Sequence, residues 1–324
     1  MRLVTRGLLA ACAALSIAPA AAQQPTYPTK SIRFVVAFAP GEPGDVLARA
    51  MVPLLAERLR QPVVIENKPG GNGSEGIDLV AKAAPDGYTI GLGGSGALAT
   101  NSSLYAKMPY NPVTDLAPVT SIAQFPFLLV APPTLPAATL EELLALARAK
   151  PGEMLIGFGG NGTATHLAAE LFKLMAKVQM VNVPYKGDGA AAADAANGKL
   201  SLALVDVQSA LPHVKSGKLK ALAVSSAKRV FAAPDAPTFA EAGLPGYEAG
   251  DWLGIVVPVT TPGAIVARLN GDFVAALKRA EVRDRIIAAG AEPAPSTPVG
   301  FGAVIAAEVV KWSEVVQLSG ARGD

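Results

Sequence analysis

The sequence predicts an α/β protein built from two similar lobes. Short apolar runs alternate along the chain with segments of helical spacing, a pattern typical of α/β folds with mainly parallel sheets. A strand, a turn and a helix recur around Ile32, again around Thr89 and again around Met154. This recurrence indicates two similar halves, and an apolar content of 51% in 324 residues is enough for two cores.

Seven apolar runs are expected to form strands. They lie at residues 32–38, 63–66, 89–92, 127–131, 154–158, 200–205 and 221–225. Two intervening segments carry apolar stripes at helical spacing, formed by Leu140, Leu143, Leu144 and Ala147 and by Leu167, Leu171, Leu174 and Met175. We interpret both stripes as surfaces that face a core. Two further helices are expected near the end of the chain, at 262–280 and 298–316.

The turn after the first strand is the most informative local feature. Residues 39–45 read APGEPGD, and a helix is expected from 46 to 59. Proline and glycine stop the strand, Asp45 is placed to cap the helix, and the unpaired amides of a helix start suit an anion. Glu42 opposes this interpretation, because it puts a carboxylate into the loop that should receive one.

The loops that follow the strands are expected to meet. Ligands bind beyond the carboxyl ends of strands in doubly wound sheets, so the loops after the first, third and fifth runs should form the floor of one cleft. Two crossing segments are placed near 123–131 and near Gly250. The predicted organisation is a signal peptide at 1–22, lobe 1 from 23–125 plus 250–324, and lobe 2 from 126–249.

The first 22 residues have the features of a secretory signal. Arg2 and Arg6 precede an apolar run, and alanines at 20–22 fit a small-residue cleavage site. A lipoprotein signal ending at Cys12 fits less well, because only about five residues separate it from Arg6, fewer than the roughly 7–15 of an apolar signal core. We therefore expect export to the periplasm. Since Cys12 is the single cysteine, the mature chain should contain no disulfide and no thiol ligand.

Charge argues against several classes of function. Without Arg2 and Arg6 the mature chain carries 26 basic residues, the same number as its 26 acidic residues. Neither this balance nor any run of Lys and Arg offers the basic face that a nucleic-acid or membrane-surface role requires. We expect a small molecule or another protein as the partner, and no nucleic acid.

Motifs for catalysis, metals and cofactors are weak. The two histidines, His166 and His213, match no metal-ligand spacing, and the chain has no G-x-S-x-G nucleophile elbow. Residues 91–96 and 157–162 match G-x-G-x-x-G, but the first match has no clean helix behind it, so no cofactor is predicted. An exported hydrolase that uses Ser95 or Thr163 with His166 stays open as an alternative. A neutral imidazole that bonds the loop explains His166 better.

Asp206 directly follows an apolar strand, an unusual place for a charge unless the residue caps a helix, pairs or faces a cleft. The cap would serve a helix that starts near Gln208. The cap and the cleft position both stay open at this point, and one side chain could serve both.

The order of motifs resembles one family closely, the Bug-type periplasmic solute-binding receptors of tripartite tricarboxylate transporters. The resemblance covers residues 27–316 and rests on YPTK at 27–30, FAPG at 38–41, VVIENKPG at 63–70, PDGY at 85–88, HLAAELF at 166–172, VPYKG at 183–187, PTFAEAG at 237–243 and Trp312. It implies a type II periplasmic-binding-protein fold, with two doubly wound α/β lobes joined by two crossing segments around a ligand cleft. It also implies capture of an organic acid, docking on a membrane permease and no catalysis.

Carried over position by position, the resemblance implies a set of ligand-binding residues. In the first lobe these are Phe38, Pro40, Gly41, Glu42 and Asp45, with a second contact at Ser95 and Gly96. In the second lobe they are Asn161, Gly162, Thr163, His166 and Asp206. Ordered waters often link the ligand to the first-lobe loop in such receptors, and water bridging tolerates several ligands.

This chain departs from the family in the first-lobe loop. The family commonly has Pro-Gly-Gly and a small hydroxyl residue where residues 40–45 read PGEPGD. A Glu42 side chain in the cleft would repel a ligand carboxylate about 4 Å away by about 4 kcal/mol, whereas one that points outward leaves the loop free for an acid. Asp188, where the family often has a small residue, adds acidity near the rim.

We therefore predict a monomeric periplasmic receptor, without a cofactor, that captures a small organic acid and delivers it to membrane permease subunits. One alternative is a solute such as an amino acid or amide, with a cationic or neutral polar end facing Glu42. Another is a sensory role, in which the closed receptor contacts a membrane kinase.

Overall fold

A computed structural model describes residues 27–322, which form two α/β lobes. The signal peptide predicted at 1–22 lies outside the described residues. None of the helices between residues 27 and 322 combines the length and the apolar character needed to span a bilayer.

The elements alternate as the sequence predicts. In chain order they are β1 (Ile32–Val36), α1 (Pro43–Leu59), β2 (Val63–Asn67), α2 (Ser74–Ala81), β3 (Thr89–Gly94), α3 (Asn101–Leu104), β4 (Leu116–Ala131), α4 (Leu140–Ala149), β5 (Leu155–Phe158), α5 (Ala164–Ala176), β6 (Val181–Pro184), α6 (Asp188–Ala196), β7 (Leu202–Asp206), α7 (Val207–Lys215), β8 (Lys220–Val224), β9 (Gly250–Pro258), α8 (Gly263–Leu277), α9 (Ala280–Ala288), β10 (Glu292–Pro293) and α10 (Pro298–Ser319). All seven predicted strands overlap observed ones. The short strand β6 is not predicted from the sequence, because its residues are exposed or half-buried and form no clear apolar run.

The strands form one continuous path, β2-β1-β3-β9-β4-β7-β5-β6, with β8 and β10 also paired to β4. Pairing is parallel within β2-β1-β3 and within β7-β5-β6, and antiparallel wherever β4 or β9 takes part. The expectation of mainly parallel sheets is therefore wrong. The antiparallel pairing of β4 with β9 arises because β4 carries the chain out of the first lobe and β9 carries it back, so the two strands run in opposite directions.

The long strand β4 belongs to both lobes. Residues 116–126 pair with β9 in the first lobe, and residues 127–131 pair with β7 and β8 in the second. β4 and β9 are thus the two crossing segments, and the cavity described below lies beside them. The exact lobe boundaries stay a prediction.

Helix α10 packs against both lobes. Phe301 and Ile305, near its start, lie in an apolar cluster with Ile77 and Trp252 of the first lobe. Trp312 and Val315, near its end, lie in the apolar cluster of the second lobe. Because burial of these side chains removes apolar surface from water on both sides, α10 ties the lobes together.

Gly254 on β9 makes the contact at the start of α10 possible. A Cβ atom at this position would lie 1.9 Å from the Phe301 ring. Such a separation is far below van der Waals contact, so any side chain at residue 254 would push the helix away from the sheet.

Candidate ligand-binding site

The two lobes enclose a cavity of about 610 Å³. It lies at the carboxyl ends of the parallel strands, where the loops after β1, β2 and β3 meet those after β5, β6 and β7. The three loops that the sequence predicts as the cleft floor all contribute lining residues, among them Phe38, Gly96 and Thr163. The position agrees with the general rule for ligand sites in doubly wound sheets.

Two hydrogen bonds join the second lobe to the segment around the end of α9. The Gln208 side chain of α7 donates to the Ala288 carbonyl of α9 at 3.2 Å, and the Phe231 amide donates to Glu292 Oε1 at 3.0 Å. Gln208 also lines the cavity, as does Gly290 just beyond α9. The end of α9 therefore forms part of the wall that the first lobe presents to the second.

Helix α1 starts three residues earlier than predicted. Pro43 is its first residue and Glu42, with φ −68° and ψ 158°, occupies the N-cap position. Proline suits this place because its fixed φ is helical and its missing N–H would have no partner there. The predicted cap by Asp45 is wrong, since Asp45 lies inside the first turn and its side chain bonds the loop instead.

Asp45 holds the first-lobe loop in place. Its buried carboxylate accepts hydrogen bonds from the Gly41 amide (2.9 Å), Arg49 Nε (2.8 Å) and Asn67 Nδ2 (2.8 Å). Asn67 Nδ2 also donates to the Phe38 carbonyl at 3.1 Å. Burial acts to raise the pKa of Asp45, but the three hydrogen bonds outweigh it and lower the pKa to about 2.

Glu42 lies at the edge of the cavity. Its side chain is exposed, lines the cavity and turns back on its own loop, where Oε2 accepts the Ala39 amide at 2.9 Å. The side chain makes no cap bond to the helix that it precedes. The carboxylate therefore uses a loop donor that would otherwise be available to a ligand.

Ser95 and Gly96 differ in their relation to the cavity. Gly96 lines it, whereas Ser95 is buried and donates its hydroxyl to Asp251 Oδ1 at 2.6 Å. Asp251 itself lines the cavity and also accepts the Trp252 amide at 2.8 Å. Burial raises the pKa of the Asp251 carboxyl. Of these two polar side chains, Asp251 lines the cavity and Ser95 does not.

The second-lobe loop is organised by the start of α5. Thr163 is the N-cap, and its hydroxyl accepts the His166 amide at 3.2 Å. His166 Nδ1 accepts the Gly162 amide at 3.0 Å, and its ring stacks on Phe158 at 4.6 Å between centroids. The predicted bond between His166 and the loop is confirmed. Because Nδ1 accepts, the proton of the neutral imidazole is assigned to Nε2, which lies 3.6 Å from Glu170 Oε1.

Two carboxyl groups face the cavity from the second lobe. Asp206 caps α7 by accepting the Ser209 amide at 2.6 Å and also lines the cavity, so the structure shows both of the positions that the sequence leaves open. Asp188 accepts the Asp206 amide and the Thr165 hydroxyl, each at 2.9 Å. Burial raises the pKa of Asp188 to about 7, and the charge of the neighbouring Asp206 adds to this rise.

The cavity is acidic in its side chains and positive only in its backbone. Glu42, Asp188, Asp206 and Asp251 line it, and no Lys, Arg or His among residues 27–322 does so. The starts of α1, α5 and α7 face it, and helix starts carry partial positive charge. Within the same residues no three metal-ligating side chains form a cluster. The arrangement favours a small polar solute that uses backbone donors.

Comparison with known proteins identifies the family. Residues 47–321 match the family model described as the tripartite tricarboxylate transporter family receptor. The chain belongs to this receptor family. It is also 37% identical over 298 residues to protein BugT of Bordetella pertussis, covering 92% of this chain and 91% of that protein.

Solved structures of similar receptors support the fold. One Rhodopseudomonas palustris protein, solved with adipate, is 36% identical, has a TM-score of 0.71, and the match covers 91% of this receptor and 99% of that chain. MatC of the same organism, solved with bound malate, is 33% identical with a TM-score of 0.68, and the match covers 90% and 100%. The predicted type II periplasmic-binding-protein fold with two lobes is confirmed.

The receptor is not an enzyme, as its family shows. The geometry agrees, because the residues of the hydrolase alternative form hydrogen bonds with other partners. The Ser95 hydroxyl donates to Asp251, the Thr163 hydroxyl donates to the Gly160 carbonyl at 2.8 Å, and His166 Nδ1 accepts a backbone amide. Neither hydroxyl donates to the imidazole, as a nucleophile and its base would require.

The structure separates the predicted site residues into two groups. Five of them line the cavity: Phe38, Glu42, Gly96, Thr163 and Asp206. The other seven do not line it, namely Pro40, Gly41, Asp45, Ser95, Asn161, Gly162 and His166. Several of these seven support lining residues through the hydrogen bonds described above. Their role in ligand contact stays a prediction.

Part of the cavity lining comes from strand residues that the sequence does not predict as site residues. Phe125 and Phe127 come from the crossing strand β4, and Asp251 and Leu253 come from β9. The sequence spacing could have indicated that the two residues of each pair share one face of their strand, since residues two apart point to the same side. Which side faces the cavity follows from the pairing of β4 with β9.

Asp188 is expected to make the stability of the receptor depend on pH. An unfolded aspartate has a pKa near 3.9, so the folded state retains this proton to higher pH and loses stability as the pH rises from about 4 to 7. We expect Asp188→Asn to raise the free energy of unfolding at pH 8 relative to the parent by at least about 1.4 kcal/mol, the free energy that corresponds to one pKa unit. The gain in stability should vanish near pH 4. Urea unfolding of the parent and the variant at pH 8 and at pH 4 measures both values.

Asp235→Asn provides the control, because Asp235 is an exposed aspartate of the same lobe that does not line the cavity. Its effect should be within about 0.5 kcal/mol at either pH. An Asp188→Asn effect that is equal at pH 4 and pH 8 would contradict the assignment of the proton.

Proposed function

We propose that this receptor captures a small organic carboxylate in the periplasm and delivers it to the permease subunits of a tripartite tricarboxylate-type membrane transporter. The observation that carries the proposal is the cavity between the lobes, which the starts of α1, α5 and α7 face. Amides at helix starts favour an anion without a basic side chain. Family members solved with adipate and with malate support the same ligand class.

The proposal includes the cellular location and the form of the protein. Export would follow from the signal peptide predicted at 1–22, and the receptor would act as a monomer. The lobes would comprise residues 23–125 plus 250–324 and residues 126–249, and they would close on the solute. The closed form would then dock on the permease.

A second candidate ligand is favoured by the four carboxyl groups that line the cavity. A solute with a cationic or neutral polar end, such as an amino acid or amide, would place that end near Glu42. Such an end avoids the repulsion of about 4 kcal/mol that two carboxylates about 4 Å apart experience at an effective dielectric constant near 20.

Thermal unfolding with a panel of solutes tests the ligand class. The panel contains dicarboxylates, monocarboxylates, amino acids and amines, and saturation at about 100 times Kd should stabilise the receptor by about 2.7 kcal/mol. We expect stabilisation by at least one carboxylate. Stabilisation by amines alone would overturn the proposal. Native mass spectrometry of the freshly purified protein would identify a retained solute independently.

Pull-down with membrane partners tests delivery. The ligand-loaded receptor should retain the permease subunits of the transporter in detergent and release them when the ligand is removed. Retention of a membrane sensor kinase instead would replace transport by a sensory role.

A further inference from the structure

The position of Glu42 suggests what kind of carboxylate the cavity accepts. In the loop between β1 and α1, the Ala39 amide donates to Glu42 Oε2 at 2.9 Å and the Gly41 amide donates to Asp45 Oδ2 at 2.9 Å. The Glu42 amide donates to the Ala39 carbonyl at 3.1 Å. All three backbone N–H groups of residues 39–42 are therefore paired within the chain, since Pro40 has none.

The two side-chain carboxylates that accept these amides differ in burial, and therefore in how easily a ligand carboxylate could displace them. Asp45 is buried, with an exposed fraction of 2%, and is fixed by Arg49 and Asn67. Glu42 is exposed and lines the cavity. A ligand carboxylate directed at the Ala39 amide would have to displace Glu42 or lie beside its charge.

In the rest of the cavity, no basic side chain among the described residues compensates a second negative charge. Its other ionisable lining groups are Asp188, Asp206 and Asp251, which are all acidic. A single carboxylate still finds backbone donors in the second lobe, where Ala164 and Thr165 of the first turn of α5 line the cavity. A dianion held there by one carboxylate meets only acidic ionisable side chains at its other end, and a second carboxylate directed at the first-lobe loop lies near Glu42.

We propose that Glu42 is a specificity-determining residue that takes the place of one ligand carboxylate, so that the receptor selects solutes with a single carboxylate and an uncharged or cationic group facing Glu42. The inference rests on the proposed function, because it assumes that a carboxylated solute enters this cavity. It assigns the two candidate ligand features to opposite ends of one molecule.

Calorimetric titration with three matched probes tests the inference. The probes are adipate, its monoamide adipamate and 6-aminohexanoate, which share a six-carbon chain and differ at one end. We expect the parent to bind adipamate or 6-aminohexanoate at least about tenfold more tightly than adipate, a difference of about 1.4 kcal/mol. In Glu42→Gln the preference against adipate should shrink by about tenfold or more.

Glu57→Gln is the matched control, because Glu57 is exposed on the same helix, carries the same charge and does not line the cavity. It should leave the order of the probes unchanged. An equal change in the relative affinities for the probes in both variants would attribute the effect to net charge and overturn the role of Glu42.

The remaining outcomes separate the inference from the proposed function. Adipate binding to the parent as tightly as adipamate would overturn the inference and leave a carboxylate receptor intact. Adipate that binds the Glu42→Gln variant but not the parent would support the inference. A lack of binding by all three probes to both proteins would overturn the inference for this ligand class. Failure of every carboxylate in the thermal panel would, separately, overturn the proposed function.

Discussion

Trp312→Ala is expected to lower the free energy of unfolding by about 3–5 kcal/mol, the usual range when a buried tryptophan is truncated in a core. Trp312 is 1% exposed and lies in the second-lobe cluster with Phe172, Phe239 and Tyr247. Its indole N–H donates to Glu308 Oε2 at 2.6 Å. The substitution removes this bond and leaves a cavity between α10 and the second lobe.

The effect should be concentrated where α10 meets the second lobe. Phe301 anchors the other end of the helix on the first lobe and is unchanged by the substitution. Urea unfolding gives the magnitude, and hydrogen exchange should accelerate in the last turns of α10 more than in β1. Exchange that accelerates equally in both places would contradict the idea that α10 is attached to the lobes separately.

Val310→Ala is the control for this prediction. Val310 lies on the same helix with an exposed fraction of 67%. Its truncation removes no core contact and favours the helix slightly, so stability should change by less than about 0.5 kcal/mol.

Asp45→Asn is expected to destabilise the receptor by about 2–3 kcal/mol at pH 7, because Asp45 has a pKa near 2 in the folded state and near 3.9 when unfolded. A group whose pKa is lowered by folding contributes fully above its unfolded pKa. Its contribution is lost as the pH falls through the folded pKa. The difference between parent and variant should therefore fall by about half at pH 3, measured by urea unfolding.

The same substitution should weaken ligand binding, since Asp45 positions the loop that carries Phe38 and Glu42 into the cavity. Glu153→Gln is a suitable control, because Glu153 forms only a surface pair with Lys150 at 3.7 Å and its side chain is 67% exposed. A destabilisation of Asp45→Asn that is unchanged between pH 7 and pH 3 would contradict the assigned ionisation.

Much of the fold follows from local patterns in the sequence. The seven apolar runs all overlap strands, and the stripe from Leu140 to Ala147 is buried throughout. At the level of the site, the place of Asp206 directly between a strand and a helix indicates a cap or a cleft position, and the structure shows both. These features depend on residues within one or two turns of each other.

Asp45 and Ser95 show where local patterns are insufficient. Asp45 has the sequence context of a cap, yet Asn67 on β2 and Arg49 draw its side chain into the loop. Ser95 has the context of a ligand contact, yet it donates to Asp251, which is 156 residues away in the chain. Each outcome is set by partners that only the folded chain brings together.

The sequence by itself determined the alternation of strands and helices, the family and the loops that meet at the cleft, because these depend on periodicity and short motifs. Only the tertiary structure decided which side chains face the cavity. The crossing of β4 and β9 brings Phe127 and Asp251 to the site, and the return of Glu42 to the Ala39 amide places a carboxylate at its edge. Orientation of this kind depends on competition among hydrogen-bond partners in three dimensions, which sequence spacing does not encode.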